Sequence, residues 1–125
     1  MKLILLTIVL SLSFSALAQR PQQRRDCSPY STETETLIEQ SKTCDAAVSL
    51  ALLCRSGNRH DGSLAYTALI TCEEMYGGEA ALTAAQKKAL KAEYRRCNQT
   101  YADPGESLFC MMEAVRVLSH RILGN

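Results

Sequence analysis

The chain has 125 residues, of which 46% are hydrophobic, and this length suits one small globular domain. Fourteen basic residues nearly balance thirteen acidic ones, so the charge gives no basis for wholesale binding to nucleic acid or to an anionic membrane surface. There are six cysteines and no tryptophan. If so short a chain is exported, an even number of cysteines predicts three disulfides that supplement a modest aliphatic core.

Residues 1–18 have the pattern of a secretory signal peptide. Lys2 precedes an apolar run over residues 3–10, and Ala16 and Ala18 provide the small side chains that precede signal cleavage. The run is shorter than the roughly 20 apolar residues that a membrane span requires. We therefore expect residues 1–18 to be removed, the mature chain to be secreted or periplasmic, and no transmembrane segment to remain.

Residues 19–30 are polar and basic and include two of the three prolines. Because such a segment can bury little apolar surface, we expect a flexible polar arm that is tied down mainly by Cys27. The remaining residues, 31–125, are predicted to form a helical, disulfide-rich domain.

The first helix of this domain is predicted to run from residue 31 or 32 to a break at residues 56–58. Thr32 followed by Glu35 matches a capping box, which is typical of a helix start. Between Cys44 and Cys54 the apolar side chains fall on every side of the helix, a pattern that indicates a helix enclosed by others. We expect this segment to form the centre of the fold.

Three further helices are predicted after the first one. The second helix begins at residues 61–63 and ends at the glycine pair 77–78. The third begins with the capping-box pattern of Thr83 and Gln86 and ends at residues 103–105, and the last carries an apolar stripe from Leu108 to Ile122. Since no segment alternates as a strand does, the predicted fold class is all-α, a small disulfide-stabilised bundle of about four helices.

Basic side chains gather on the third predicted helix, on the side away from its apolar stripe. They are Lys87, Lys88, Lys91 and Arg95. A cluster of this kind can bind an anionic ligand, but a solvated helix flank is the preferred interpretation.

The cysteine spacing limits the possible disulfides without selecting one set. Cys44 and Cys54 are ten residues apart on one predicted helix, hence roughly 15 Å apart, and cannot bond each other while that helix is intact. Cys97 and Cys110 flank the turn at residues 103–105, and antiparallel helices would bring them face to face. Cys97–Cys110 is therefore the preferred single pair.

The other pairs remain open at this point. Folding the chain back around residues 57–62 brings Cys44 to Cys72, which leaves Cys27 for Cys54. A continuous first helix would keep these last two cysteines roughly 30 Å or more apart. Either the helix breaks near residues 41–43 or one of the pairs is wrong.

One short motif suggests chemistry. His60 and Asp61 lie between Gly57 and Gly62, in a predicted turn, and they resemble the histidine–aspartate pair of secreted phospholipases A2. The resemblance implies a calcium-dependent lipid hydrolase in which His60 activates water and Asp61 binds calcium. The only other histidine, His120, is predicted to be exposed on the last helix with no identified partner.

The remaining motifs favour a non-catalytic protein. The sequence contains no Gly-rich phosphate loop, no nucleophile elbow and no dinucleotide fingerprint, and neither a metal site nor a cofactor is expected. The leading hypothesis is a small exported binding module for a protein partner, for instance as an inhibitor, or for an apolar small molecule. The alternatives are the lipid hydrolase and a structural component of an envelope or matrix.

Overall fold

The computed structural model describes Cys27 and residues 31–124. The predicted signal peptide and the predicted arm, apart from Cys27, lie outside the described residues, as does residue 125. Residues 31–124 form five α-helices and one 3-10 turn, with no strand among them. The helices are α1 (Ser31–Glu39), α2 (Cys44–Leu53), α3 (Asp61–Tyr76), α4 (Ala84–Thr100) and α5 (Pro104–Leu123), and the 3-10 turn is Glu79–Ala81. The predicted all-α bundle is confirmed.

The prediction of one continuous first helix is wrong and the alternative of a break near residues 41–43 is confirmed, because α1 ends at Glu39 and α2 begins at Cys44. The Thr43 side chain accepts a hydrogen bond from the backbone N–H of Ala46 at 3.1 Å, and Thr43 thereby caps a new helix. Before the break, the Ser41 hydroxyl donates to the Leu37 carbonyl at 3.3 Å. Polar side chains that bond to nearby backbone groups in this way compete with helix continuation, and the chain turns between the two helices.

This break permits the disulfide that a continuous helix would forbid. Cys27 is bonded to Cys54, and their Cα atoms are 5.2 Å apart. Cys44 is bonded to Cys72 and Cys97 to Cys110, with Cα–Cα distances of 4.8 and 5.6 Å. The three bridges therefore join the chain before α1 to the end of α2, α2 to α3, and α4 to α5.

The core lies between α1, α2, α3 and α5, and Ile38 of α1 is fully buried in it. The N-terminal turns of α3 and α5 approach each other closely at Gly62 and Gly105. A Cβ atom added to Gly62 would lie 3.5 Å from the Cα atom of Gly105. Alanines let the helices approach closely, and four of them are completely buried: Ala47, Ala51, Ala65 and Ala68. Met112 and Val115 fill the space on the α5 side and are also fully buried.

The expectation that other helices enclose α2 on every side is also wrong. Ala47, Val48 and Ala51 are buried on one face, whereas Leu52 and Leu53 are 44% and 47% exposed. The domain has too few helices to cover all sides of α2. None of the helices in residues 31–124 combines the length and the apolar character needed to cross a bilayer.

Helix α4 packs differently from the other long helices. Of its 17 residues only Cys97, near its end, is buried. Its start is stabilised locally, because the Thr83 side chain and the Gln86 side chain form a reciprocal capping box. The helix therefore lies against the core along one edge and leaves a groove beside α5.

Candidate functional site

The candidate site is an open groove between α4 and α5 with a volume of about 700 Å³. That volume falls within the usual range of small-molecule and cofactor sites. The floor consists of small and apolar side chains, namely Ala89, Leu90, Ala92, Ala114 and Leu118. Val117, at the edge of α5, is 43% exposed. The groove thus presents apolar surface that the fold itself leaves uncovered.

Two features of the sequence produce this groove. The disulfide between Cys97 and Cys110 holds one end of the α4–α5 hairpin together. Farther along the hairpin the facing positions are Ala89, Ala92 and Ala114, whose side chains are too short to fill the space between the two helices. An apolar channel therefore remains open to solvent.

Charged side chains of both signs line the two rims of the groove. On α4, Arg96 Nη2 lies 2.9 Å from Glu93 Oε2. On α5, Glu113 Oε2 accepts a hydrogen bond from Arg116 Nε at 2.8 Å, and Arg121 is exposed one turn beyond Val117. Exposed ion pairs of this type stabilise a fold by only about 0–1 kcal/mol, so these side chains can form new pairs with a bound molecule at little cost.

On the side away from the groove, a hydrogen bond joins α4 to α3. The Tyr94 hydroxyl donates to Glu73 Oε1 on α3 at 2.9 Å. Burial, and next the nearby Glu73 carboxylate, raise the pKa of Tyr94 well above its ordinary value and the pKa of Tyr76 to about 12. Both phenols therefore remain protonated at neutral pH, and Tyr94 can act as a hydrogen-bond donor that ties α4 to α3.

The structure gives Asp61 a role in shaping the loop before α3. Asp61 is 6% exposed, and its carboxylate accepts hydrogen bonds from the backbone N–H groups of Ser56 at 2.9 Å and Gly57 at 2.7 Å. Arg55 Nε lies 3.9 Å from the same carboxylate. These contacts occupy both oxygens and hold the loop in place.

His60 lies next to Asp61, but the contacts described for the two residues are separate. His60 is exposed, and its backbone N–H donates to Asn58 Oδ1 at 2.8 Å. Within residues 31–124 and Cys27, no three side chains of the metal-binding types are grouped so that they could hold an ion. The geometry therefore offers no observation that favours the calcium-dependent hydrolase.

A second cavity of about 650 Å³ lies where the first turns of α3 and α5 meet. Its lining mixes apolar side chains such as Leu108 and Phe109 with charged ones, and its main charged side chains already bond one another. Arg55 forms an ion pair with Glu106, and its guanidinium carbon lies 4.5 Å from the centre of the Phe109 ring. This corner fastens the α2–α3 loop to α5, and it does not offer the apolar floor of the α4–α5 groove.

Sequence reasoning missed the partner of His120. Its Nε2 atom lies 2.8 Å from the carboxylate of Asp45, at the start of α2, and Arg116 Nη1 lies 3.5 Å from the same carboxylate. Asp45 and His120 are 75 positions apart, and nothing in the local sequence relates them. The sequence also gave no direct sign of the groove, although the alanines at positions 89, 92 and 114 were the available signal.

Neither a protein-family model nor a curated protein nor a solved structure matches this chain.

Proposed function

We propose that this chain is a small exported binding module, without catalytic activity, that engages a protein partner by receiving one of its helices in the α4–α5 groove. The observation that carries this proposal is the groove of about 700 Å³ with an apolar floor and charged rims. Three disulfides are typical of a chain outside the cytoplasm. The predicted signal peptide supports secretion or export to a periplasm.

A helix suits the groove better than a small apolar molecule does. The groove is open along its length, so an apolar small molecule would keep much of its surface in water, whereas typical small-molecule sites enclose most of the ligand. An amphipathic helix instead places an apolar stripe on the floor and polar side chains along the rims. The rims carry charges of both signs that can pair with the polar side chains of such a helix, from Glu93, Arg96, Glu113 and Arg121.

Site-specific photo-crosslinking in the native compartment tests the proposal. A photoreactive phenylalanine derivative replaces Val117 at the groove edge in one variant and Lys88 on the exposed outer side of α4 in a control variant. We expect a covalent protein adduct from position 117 and none from position 88. Equal adduct yields from both positions, or no adduct from position 117, would overturn the proposal.

A further inference from the structure

We infer that the helix received by the groove is α5 of a second copy of this chain, an inference that rests on the proposed function. In this pairing the two α5 helices lie antiparallel, with a two-fold axis beside Val117. The two α4–α5 hairpins then complete a four-helix bundle around the alanine-rich floor. The surface that each chain leaves uncovered is thereby buried by the same surface of the other chain.

The charge order along α5 supports this pairing. Glu113, Val117 and Arg121 succeed one another at intervals of four residues, so they lie along one side of the helix about one turn apart. All three line the groove. In an antiparallel pair centred on Val117, each Glu113 lies opposite Arg121 of the other copy, and the two valines meet at the axis.

The same order of charges disfavours the parallel arrangement. A parallel pair in register would place Glu113 against Glu113 and Arg121 against Arg121, and like charges at an interface disfavour association. The contacts needed by the antiparallel pair are also available. Arg121 is exposed and has no ion pair among the described residues, and Glu113 is held only by Arg116 on its own helix.

The size of the side chains fits close helix packing. Ala114 lies one turn before Leu118 on α5, and Ala89 and Ala92 form part of the groove floor on α4. Small side chains let a neighbouring helix approach closely, so α5 of one copy can lie over the channel of the other while the two valines meet at the axis. The pairing therefore covers both the half-exposed valine and the unfilled channel.

A charge-swap series on the mature, disulfide-intact protein tests this inference by sedimentation equilibrium up to about 1 mM, where a pair with a Kd of about 1 mM is still populated. We expect the wild type to approach twice the monomer mass. Glu113→Arg and Arg121→Glu should each weaken association about tenfold, because each creates two like-charge contacts, and the double variant should recover it. Val117→Glu should remain monomeric, and Lys88→Glu, on the outer side of α4, should behave as the wild type.

Circular dichroism confirms folding of each variant before its mass is measured. A wild type that stays monomeric up to the highest concentration, or a double variant no better than its two parents, would overturn the pairing. The photo-crosslinking experiment separates this failure from that of the proposed function. An adduct at position 117 with a different protein would retain the binding groove while removing the second copy as its occupant.

Discussion

Helices α3 and α4 have nearly equal lengths and opposite relations to the core. Eight of the 16 residues of α3 are buried, whereas one of the 17 residues of α4 is. Helix α3 has contacts with α1, α2 and α5, and the Cys44–Cys72 bridge joins it to α2 one turn before its end. Helix α4 is fastened near its end by Cys97 and along one side by Tyr94.

The difference shows that the two helices form for different reasons. Helix α3 is stabilised by burial, and its side chains pack into a space that other helices close. Helix α4 is rich in alanine, lysine and arginine, which have high intrinsic helix propensity, and its capping box satisfies the first N–H groups. A helix of this second kind can keep one side uncovered, and that side forms the wall of the groove.

Of the changes that test the difference between α3 and α4, removing disulfides is expected to have the largest effect on stability. The Cys44–Cys72 bridge closes a loop of 28 residues and the Cys97–Cys110 bridge one of 13, for which chain entropy gives about 3.6 and about 2.9 kcal/mol. We expect Cys44→Ala with Cys72→Ala to destabilise the whole domain in guanidinium unfolding. Cys97→Ala with Cys110→Ala should instead loosen α4 while α3 keeps its hydrogen-exchange protection. If α3 and α4 lost hydrogen-exchange protection equally in both double variants, the two helices would not differ in how they are stabilised.

Replacing one alanine by leucine in each of α3 and α4 is expected to give the next largest difference in unfolding free energy. Ala68 on α3 is fully buried, so Ala68→Leu must displace its neighbours and should cost about 1–3 kcal/mol of unfolding free energy. Ala92 on α4 is exposed at the groove, so Ala92→Leu should change stability by less than about 0.5 kcal/mol. Thermal unfolding of the two variants measures both values, and similar losses in the two would show that the groove is not open.

The loop before α3 offers a matched pair of neighbouring residues. Asp61→Asn keeps the shape of the side chain but removes the charge that the N–H groups of Ser56 and Gly57 face, so a loss of about 1–3 kcal/mol is expected. His60→Ala should be neutral within about 0.5 kcal/mol, because His60 is exposed. Urea unfolding compares them. If His60→Ala were as destabilising as Asp61→Asn, the description of His60 as an exposed residue that contributes little to stability would be wrong.

The contact between α3 and α4 gives the smallest effect at neutral pH and a distinct effect in alkali. Tyr94→Phe should cost about 1–2 kcal/mol, since the hydrogen bond to Glu73 is lost. The pKa of Tyr76 is about 12 in the folded chain and 10.0 for an ordinary tyrosine, so the unfolded chain loses this proton first. Stability that is complete below pH 10 should therefore fall as the pH rises toward 12.

Thermal unfolding between pH 9 and pH 12 measures this alkaline loss. The loss should be shallower in Tyr76→Phe and in Tyr94→Phe than in the wild type, because each variant removes one tyrosine of raised pKa. Identical pH profiles in all three proteins would show that these two phenols are not buried as described.

Local sequence signals predicted most of the fold. The cap at Thr83, the turn at residues 103–105, the glycines after α3 and the absence of strand patterns all act within a few residues, and the all-α bundle follows from them. Local signals alone did not show the break between α1 and α2, since the capping of Thr43 competes with helix propensity that continues on both sides. The distance that a continuous helix would put between Cys27 and Cys54 raised the break as one of two alternatives. The exposure of Leu52 and Leu53 depends on how many helices are available to cover α2.

The candidate site was less predictable than the fold. The groove depends on the distance between α4 and α5, which is set by a disulfide, by Tyr94 and by alanines that are also common in packed cores. The contact of His120 with Asp45 joins residues that are distant in sequence. The motif at His60 and Asp61 drew attention to a loop in which the aspartate bonds the backbone, so a short motif alone was a poor guide to the site.

Hydrogen exchange followed residue by residue at increasing protein concentration tests the central claim most directly. If α4 is held mainly by local interactions and has an uncovered face, residues 84–96 should exchange rapidly through local opening at low concentration, while the buried residues of α3 exchange slowly at every concentration. Protection of residues 84–96 should then rise as the groove is filled by a second copy. Protection of α4 equal to that of α3 at the lowest concentration would contradict the account.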